Sequence, residues 1–265
     1  MASVVELGSN PSPTGRKKPS NDKIRRSLTD MDLRLTDQVV LVSGGAKGIG
    51  ESICRVLAAE GARPVIVGRN AEDNARTVAA IEAAGGQAWA VTAELTSGEE
   101  CRRAVADALK LAGRIDHLVN NAGINDGVSL QNGDLDRFIE SLRRNLLHYY
   151  ELARCALPEL KRSRGAIVNI SSKVAETGQG GTSAYAAANG GRNALTREWA
   201  VELAPHGVRV NAVIVAECWT PLYEKWINTL PDPQAMRREI ESRIPLGQRM
   251  TTGEEIANMV AFLLS

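Results

Sequence analysis

A glycine-rich segment, residues 43–50, lies directly between a run of aliphatic residues and a stretch with helical hydrophobic periodicity. Glycines in such a turn let the chain reverse tightly and let phosphate oxygens approach backbone N–H groups. The positive N-terminal end of the following helix adds to this attraction. The segment therefore predicts a site for the pyrophosphate of a dinucleotide, with Gly44, Lys47, Gly48 and Gly50 against it. The alternative is a βα turn that is tight for structural reasons only.

Ser172 and Tyr185 are the side chains whose types suit proton transfer. A phenol can take a hydroxyl proton if its pKa, ordinarily about 10, is lowered towards the working pH. A serine hydroxyl beside it can hold the substrate oxygen. Ser172 follows a predicted strand at its carboxyl end, where ligands bind in open α/β sheets, and Tyr185 opens the next predicted helix. The alternative is that Tyr185 is an ordinary core or interface aromatic.

The second predicted strand should end beside the adenosine ribose of a dinucleotide bound in this way. A carboxylate there favours NAD, because it accepts a hydrogen bond from the ribose 2′-hydroxyl. The sequence has Gly68 and Arg69 instead, and Lys47 lies inside the glycine-rich turn. Two cations favour a 2′-phosphate, so we predict NADP(H) rather than NAD(H). The alternative is that both are ordinary surface charges.

Short β-branched runs alternate with long helical stretches from residue 38 onward. Near-continuous apolar strands are typical of a parallel sheet with helices on both faces and right-handed crossovers. We therefore predict an α/β fold with a Rossmann-like doubly wound parallel sheet. The predicted strands are residues 39–42, 64–67, 87–91, 116–120, 166–170 and 208–213; the predicted helices include residues 71–84, 98–111 and 184–204, and a long stretch ending near residue 162.

The composition limits the classes of function. The 265 residues have a formal net charge of +1, with 43% apolar and 24% charged residues, as in ordinary soluble proteins. We expect no nucleic-acid or membrane partner, a cytoplasmic location and reduced cysteines. No metal site is expected either, because the histidines and cysteines are scattered. Residues 1–34, rich in proline and basic residues, are predicted to be a disordered tail before a domain over residues 35–265. A nucleic-acid-binding arm is the alternative for that tail.

Two backbone motifs resemble those of the short-chain dehydrogenase/reductase family. The glycine turn is similar to the family's T-G-x-x-x-G-x-G, with Ser43 in place of Thr, and residues 120–123 read N-N-A-G after the fourth predicted strand. Ser172 and Tyr185 are 13 residues apart, which is the family's spacing. The resemblance covers nearly all of residues 35–265. It implies the same fold and an NAD(P)-dependent hydride transfer between a hydroxyl and a carbonyl group.

The resemblance also implies roles for particular residues. Asn145 falls where the family has a helix Asn that holds a water molecule in the proton relay. A small-molecule alcohol, ketone or sugar is the implied substrate. Family members usually form homodimers or homotetramers through the two long helices beside the crevice. Further cofactor contacts are implied for Ile49, Glu94, Leu95, Asn121, Ala122 and Gly123.

Asn189 stands where the family has the lysine of Tyr-x-x-x-Lys, on the same helix face as Tyr185. The family's lysine lowers the pKa of the tyrosine and holds the nicotinamide ribose. Asn189 can offer hydrogen bonds to that ribose but carries no charge. Lys173 and Arg192 are near in sequence, but neither occupies the matching helix position. We therefore predict weakened activity, which Asn189→Lys should raise by orders of magnitude. A catalytically impaired NADP(H)-binding protein with a sensing or interaction role is the alternative.

Residues 217–226 mix aromatic and polar side chains, and we predict that they form a lid suited to a polyhydroxylated ligand. Residues 125–127 and 177–182 resemble the L-fucose dehydrogenase-like branch of the family. That resemblance implies oxidation of an aldose at C1 to a lactone.

Two further departures from the family lie towards the C-terminus. Val215 stands where the family usually has Pro after the sixth strand, which should loosen the loop over the nicotinamide. The chain stops at Ser265 inside a predicted helix. The family's last strand is therefore expected to be missing, as in a truncated product, with an exposed sheet edge in consequence.

Overall fold

Six parallel strands form one sheet: β1 (Val39–Ser43), β2 (Arg63–Gly68), β3 (Trp89–Thr92), β4 (His117–Asn120), β5 (Ala166–Ser172) and β6 (Arg209–Val215). Their spatial order is β3-β2-β1-β4-β5-β6. The computed structural model describes residues 31–265, within which Leu33–Ser265 forms one compact unit. The predicted tail, residues 1–34, lies almost wholly outside the described residues, as does its basic cluster.

Helices connect the strands and cover both faces of the sheet. A π-helical segment, Arg143–Leu147, joins the helices Leu135–Leu142 and His148–Ser163, so that the long helical stretch predicted to end near residue 162 consists of three contiguous parts. The helices are α1 (Gly48–Ala59), α2 (Ala71–Ala83), α3 (Gly98–Ala112), α4 (Leu135–Leu142), α5 (His148–Ser163), α6 (Ser183–Leu203), α7 (Pro221–Ile227), α8 (Pro233–Ser242) and α9 (Gly253–Leu264).

The core consists of two apolar layers, one on each face of the sheet. Successive residues of a strand point to opposite faces, and β1 shows this directly. Leu41 packs with α3, α5 and α6 in one buried cluster. Val40 and Val42 pack with α1 and α9 in the other. The predicted doubly wound α/β fold is therefore confirmed.

The strand order places a crevice at the centre of the sheet. β1 pairs with β2 on one side and with β4 on the other, so the connections run in opposite directions from this point. Ligands bind outside the carboxyl ends of the strands at such a switch point. Ser43 ends β1 and Asn120 ends β4, and the segments that follow them line the crevice.

Within residues 31–265, β6 pairs with β5 alone and forms an edge of the sheet, as expected. The Arg209 guanidinium of β6 donates to the carbonyl oxygens of Leu263, Leu264 and Ser265 at 2.7–3.0 Å. A cation at this place satisfies carbonyls that the helix leaves without a partner and complements the dipole of α9.

No helix in the described part of the chain has the length and apolar character needed to cross a membrane. Within the same residues, no three or more His, Cys, Asp or Glu side chains are arranged to hold a metal ion.

Candidate active site

The glycine turn after β1 is shaped by backbone that has no room for side chains. Gly44 has φ +66° and Gly48 has φ +56°, in the left-handed region that favours glycine. A Cβ on Gly50 would overlap the carbonyl oxygen of Gly44 and lie 2.6 Å from Asn121 Nδ2. No described side chain caps the helix that starts here, because Lys47 is at the N-cap position and makes no cap hydrogen bond. The turn therefore leaves helix N–H groups open for phosphate oxygens, which fits a dinucleotide.

Ser43 holds this turn against the segment after β4. Its hydroxyl oxygen accepts hydrogen bonds from the backbone N–H of Asn121 at 2.9 Å and of Ala122 at 3.1 Å. The Asn121 side-chain amide donates in return to the carbonyl oxygens of Ser43 and Gly44, at 3.0 and 3.1 Å. These bonds fix the N-N-A-G segment against the glycine turn.

The charges beside the glycine turn include a carboxylate that the sequence argument did not count. Asp73 Oδ2 lies 2.5 Å from Lys47 Nζ, and Asp73 Oδ1 lies 2.6 Å from Arg76 Nη1. The hydrogen bond from Lys47, followed in size of effect by the one from Arg76, holds the pKa of Asp73 below its ordinary value. Arg69 is exposed and makes no ion pair within residues 31–265. Lys47 and Arg76 thus share the carboxylate of Asp73, and the nearby carboxylate of Glu51 pairs with Arg55. Neither Asp73 nor Arg76 stood out in the sequence, because charged residues in the first two turns of a helix are ordinary.

The remaining predicted cofactor contacts occupy varied positions. Ile49 is in the first turn of α1 and packs partly against the core. Glu94 is exposed after β3, and its carboxylate accepts hydrogen bonds from the N–H and hydroxyl of Thr96 at 3.2 and 3.1 Å. Leu95 is half-buried at the start of the next connection. Gly123 follows Ala122 at the end of the N-N-A-G segment.

Ser172 and Tyr185 lie on neighbouring elements at the carboxyl end of the sheet. Ser172 is the last residue of β5, and its hydroxyl oxygen accepts from Val174 N–H at 3.5 Å. Tyr185 is in the first turn of α6; it is half-buried, and its hydroxyl has no hydrogen-bond partner within residues 31–265. Ser171 has the structural role, since it is buried and donates to the carbonyl oxygen of Asn189 at 3.4 Å.

Asn145 is buried in the π-helical segment between α4 and α5. Its side-chain oxygen accepts from Ile124 N–H at 2.8 Å, which ties the segment to the chain just after Gly123. Its backbone carbonyl oxygen accepts from Arg192 Nε at 2.6 Å. π-Helical turns shift the backbone hydrogen-bond register and often occur at functional sites. The carbonyl group of Asn145 is used here by a side chain of α6.

Asn189 is fully buried, and both ends of its amide are bonded within the protein. Nδ2 donates to the carbonyl oxygen of Tyr185 at 2.8 Å, and Oδ1 accepts from Arg192 Nη1 at 3.0 Å. One N–H and one oxygen lone pair remain uncommitted. The contact from Asn189 to the cofactor ribose remains a prediction. The uncommitted N–H and lone pair are the groups that could make it.

Arg192 is the residue of this site that the sequence argument set aside. Its side chain is 3% exposed, and Nη1 also donates to the Ile170 carbonyl oxygen at 3.0 Å. The guanidinium carbon lies 4.3 Å from the centre of the Tyr149 ring. Positions 185, 189 and 192 share one helix face, but this spacing does not show that Arg192 is buried. Arg192 was set aside because it does not occupy the position four residues after Tyr185.

Burial is the main cause of the shifted pKa values of Tyr149 and His148, two α5 side chains near Arg192. It raises the pKa of the Tyr149 phenol well above its ordinary value, and the guanidinium offsets part of that shift. Burial lowers the pKa of His148 to about 4. Both groups are therefore neutral at pH 7.

The middle of the predicted lid, at Thr220 and Pro221, lies close to Gly48 of the glycine turn. Thr220 caps α7, since its hydroxyl oxygen accepts from Tyr223 N–H at 3.2 Å, and its Cβ lies 3.7 Å from the place of a Cβ on Gly48. Tyr223 packs edge-on against Trp226, with ring centres 5.2 Å apart. The carboxylate of Glu217 forms an ion pair with Lys173, directly after Ser172.

Comparison with known proteins identifies the family. The family profile described as short chain dehydrogenase matches residues 38–230. The L-fucose dehydrogenase of Bos taurus is 36% identical over 236 residues, which are 89% of this chain and 86% of that protein. The crystal structure of Cj0485 dehydrogenase is 41% identical with a TM-score of 0.84, covering 89% of this chain and 90% of that one. An actinorhodin polyketide ketoreductase solved with NADPH is 29% identical with a TM-score of 0.82, over 86% of this chain and 90% of the other.

The chain belongs to the short-chain dehydrogenase/reductase family, and it is an NAD(P)-dependent oxidoreductase. The predicted family, fold and enzyme class are confirmed. The alternative of a protein without catalytic activity is not favoured, because the relatives are named dehydrogenases and reductases. A small molecule is therefore the substrate.

Proposed function

We propose that this protein is an NADP(H)-dependent dehydrogenase that oxidises the C1 hydroxyl of an aldose, with L-fucose as the first candidate. One observation carries the proposal. Ser172 is the last residue of β5 and Tyr185 is in the first turn of α6, at the carboxyl end of the sheet at which the glycine turn after β1 also lies. The substrate carbon loses a hydride and its hydroxyl loses a proton, which gives the lactone.

When bound, the nicotinamide ring accepts the hydride. The residues of this chain position the reactants and move the proton. Tyr185 takes the hydroxyl proton, Ser172 holds the reacting oxygen by a hydrogen bond, and Asn145 and Asn189 support the helix face on which Tyr185 lies. The proposed cofactor contacts are Gly44, Lys47, Gly48, Ile49, Gly50, Arg69, Glu94, Leu95, Asn121, Ala122, Gly123, Tyr185 and Asn189.

The preference for NADP(H) is supported by the charges beside the glycine turn. Lys47 and Arg76 share the carboxylate of Asp73, and Arg69 makes no ion pair within residues 31–265. A 2′-phosphate would give Lys47 and Arg76 a second anionic partner. The structural relative that was solved with NADPH supports the same choice.

Fluorescence titration with NADPH and NADH tests this preference. Lys47→Ala and Arg69→Ala should each weaken NADPH binding about 10-fold, since charge-assisted hydrogen bonds contribute roughly 1.5–3 kcal/mol, and should leave NADH binding within about 2-fold. Lys110→Ala removes an exposed ion pair on α3 and serves as the control. Tighter binding of NADH than of NADPH by the unaltered protein would reverse the assignment.

The substrate class is supported by the lid and by the relatives. Trp219, Tyr223 and Trp226 give flat aromatic surfaces, and the Lys173–Glu217 pair adds polar groups close to Ser172. Stacking faces next to polar groups suit a sugar ring. Mixing the protein with NADP+ and a panel of aldoses, simple alcohols and cyclic alcohols, with absorbance followed at 340 nm, tests the class. Faster turnover of a simple alcohol than of every aldose would rule out the sugar assignment.

A homodimer or homotetramer is the proposed assembly, formed through the long helices beside the crevice. Large apolar side chains on α4 and α5 and in the π-helical segment between them face solvent in the single chain, namely Leu135, Leu147 and Tyr150. A second subunit packed against these helices would cover such exposed apolar side chains. Light scattering after size exclusion measures the mass directly, and Tyr150→Glu should shift it to that of the monomer.

A cytoplasmic location is proposed from the cysteines. All of them are free, and Cys54, Cys101 and Cys218 are buried, as expected for thiols in a reducing compartment. Cell fractionation followed by immunodetection tests the location.

A further inference from the structure

The guanidinium of Arg192 is a buried charge that contacts only neutral groups. Its hydrogen-bond acceptors are the carbonyl oxygens of Asn145 and Ile170 and the side-chain oxygen of Asn189. No Asp or Glu within residues 31–265 forms an ion pair with it. Arginine keeps its charge in proteins, and a buried charge without a counter-charge is unfavourable. The site therefore holds a positive charge to which an anion can bind favourably.

One nitrogen of this guanidinium has no partner at all. Arg192 Nη2 is buried and makes no hydrogen bond within the described residues. It lies 2.7 Å from the place that a Cβ on Gly123 would occupy. Gly123 ends the N-N-A-G segment, which Ser43 holds against the glycine turn. The free donor is therefore directed at the crevice side of the sheet, where only a glycine separates it from open space.

Asn189 connects this charge to Tyr185. Tyr185, Asn189 and Arg192 occupy one face of α6, and Asn189 accepts from the guanidinium while donating to the Tyr185 carbonyl oxygen. A neutral side chain with an oxygen is required at position 189, because its partner is a cation. The asparagine at position 189 thus suits the arginine at position 192, because it accepts a hydrogen bond from the cation where a lysine would repel it.

We propose that Arg192 supplies the positive charge of the proton-transfer site, stabilising Tyr185 in its ionised form, and that its free Nη2 donates to a ribose hydroxyl of the bound dinucleotide. This inference rests on the proposed function, since it assigns the charge on which that proton transfer depends. It also replaces the expectation that Asn189 leaves the site without a cation.

Other titratable and charged groups near this face are neutral or already paired. Tyr149 and His148, from α5, are buried and neutral at pH 7. The charged side chains on the other elements packed against α6 already have bonds: Glu176 accepts from Asn193 of α6, Lys173 pairs with Glu217, and Arg143 and Arg144 pair with Glu140. Arg192 is therefore the buried cation on the helix face that also carries Tyr185 and Asn189.

The test uses Arg192→Gln, with Arg197→Gln, an exposed change on the same helix, as control. Ultraviolet titration of tyrosinate in the protein without cofactor, compared with the Tyr185→Phe variant, gives the ionisation midpoint of Tyr185. Arg192→Gln should raise that midpoint by about two pH units. It should also weaken NADPH binding about 10-fold and lower kcat/KM at pH 7 by about 100-fold. The control should match the unaltered protein.

A second variant moves the charge and covers the case in which Arg192→Gln does not fold. Asn189→Lys combined with Arg192→Leu places one cation on the same face, four residues after Tyr185. This double variant should fold and keep the tyrosinate midpoint within about one pH unit of the unaltered protein. A folded Arg192→Gln with unchanged midpoint and unchanged NADPH affinity would overturn the proposal. So would a folded double variant whose midpoint rises by two pH units or more.

Failure of the proposed function has a different signature. If the unaltered protein binds no NADPH and oxidises no sugar, the assigned function is wrong. The tyrosinate titration needs neither cofactor nor substrate, so it still reports whether Arg192 acts on Tyr185.

Discussion

The Nε atom of Arg192 donates to the carbonyl oxygen of Asn145 at 2.6 Å, which joins α6 to the π-helical segment between α4 and α5. Asn145 in turn accepts from Ile124 N–H, so the bond extends to the end of the N-N-A-G segment. The helix that carries Tyr185 and the end of the N-N-A-G segment are thus joined through the buried guanidinium of Arg192 and Asn145.

Asn189→Lys alone should lower activity, in contrast to the expectation from the sequence. The new ammonium would be buried next to the Arg192 guanidinium, because Asn189 Oδ1 now accepts from Nη1 at 3.0 Å. Two like charges about 4 Å apart repel by roughly 4 kcal/mol at an effective dielectric of about 20. Urea unfolding should show a loss of about 2–4 kcal/mol, and kcat/KM should fall at least 10-fold. Ala194→Lys, exposed on the same helix, is the control. A rise in kcat/KM would show that the two cations are accommodated.

Gly50→Ala should remove dinucleotide binding. The added methyl group would overlap the Gly44 carbonyl oxygen, so the glycine turn must open to accept it. Titration should show NADPH affinity lowered at least about 100-fold, with lower stability. Gly190→Ala is the matched control, since nothing lies within 4 Å of its added Cβ. That change inside α6 should stabilise the protein by roughly 0.5–1 kcal/mol and leave binding unchanged. Normal NADPH binding by Gly50→Ala would disprove the assigned location of the pyrophosphate.

Ser43→Ala should destabilise the crevice, whereas Ser43→Thr should be tolerated. Alanine leaves the part-buried N–H groups of Asn121 and Ala122 without their acceptor, at a cost of roughly 1–3 kcal/mol. Threonine keeps the hydroxyl oxygen. Chemical denaturation of both variants measures the difference in their free energies of unfolding. Equal stability of the two variants would show that this hydroxyl does not hold the segment after β4.

Stability should fall as the pH is lowered from about 6.5 towards 4. Burial lowers the pKa of His148 and of His117 from 6.5 to about 4 in the folded protein. The unfolded chain therefore binds protons on these side chains that the folded protein does not bind, and each histidine should cost about 2–3 kcal/mol by pH 4.5. His148→Gln keeps a donor for the Arg144 carbonyl oxygen but cannot take up the proton. Urea unfolding at pH 7 and pH 4.5 should show a smaller loss in the free energy of unfolding for this variant than for the unaltered protein. If the stability of His148→Gln depends on pH as that of the unaltered protein does, His148 is not the cause of the acid sensitivity.

The parts of the site that depend on local sequence were predictable. The glycine turn, the N-N-A-G segment and the candidate residues Ser172 and Tyr185 were each indicated by the spacing of residues next to a strand or in one helix. The parallel sheet followed from the βα alternation. The predicted ends of α2 and α3 each differ by one residue from those observed, Ala71–Ala83 and Gly98–Ala112.

The parts that depend on tertiary contacts were not predictable. Arg192 has partners on β5, α6 and the π-helical segment, which are far apart in the sequence, so no local pattern indicates that it is buried. The carboxylate of Asp73 reaches Lys47 only because α2 packs beside the glycine turn. Its sequence signal, an acid in the first turn of a helix, is the same as for many surface helices.

The central claim is that Tyr185 moves the proton while the glycine turn holds the dinucleotide. Stopped-flow absorbance at 340 nm, with NADP+ and L-fucose, compares the unaltered protein with Tyr185→Phe. We predict that the rate of hydride transfer is about 10²–10⁴-fold lower in the variant, while its affinity for NADPH stays within about 3-fold of that of the unaltered protein. Equal rates in the two proteins at saturating NADP+ would contradict it.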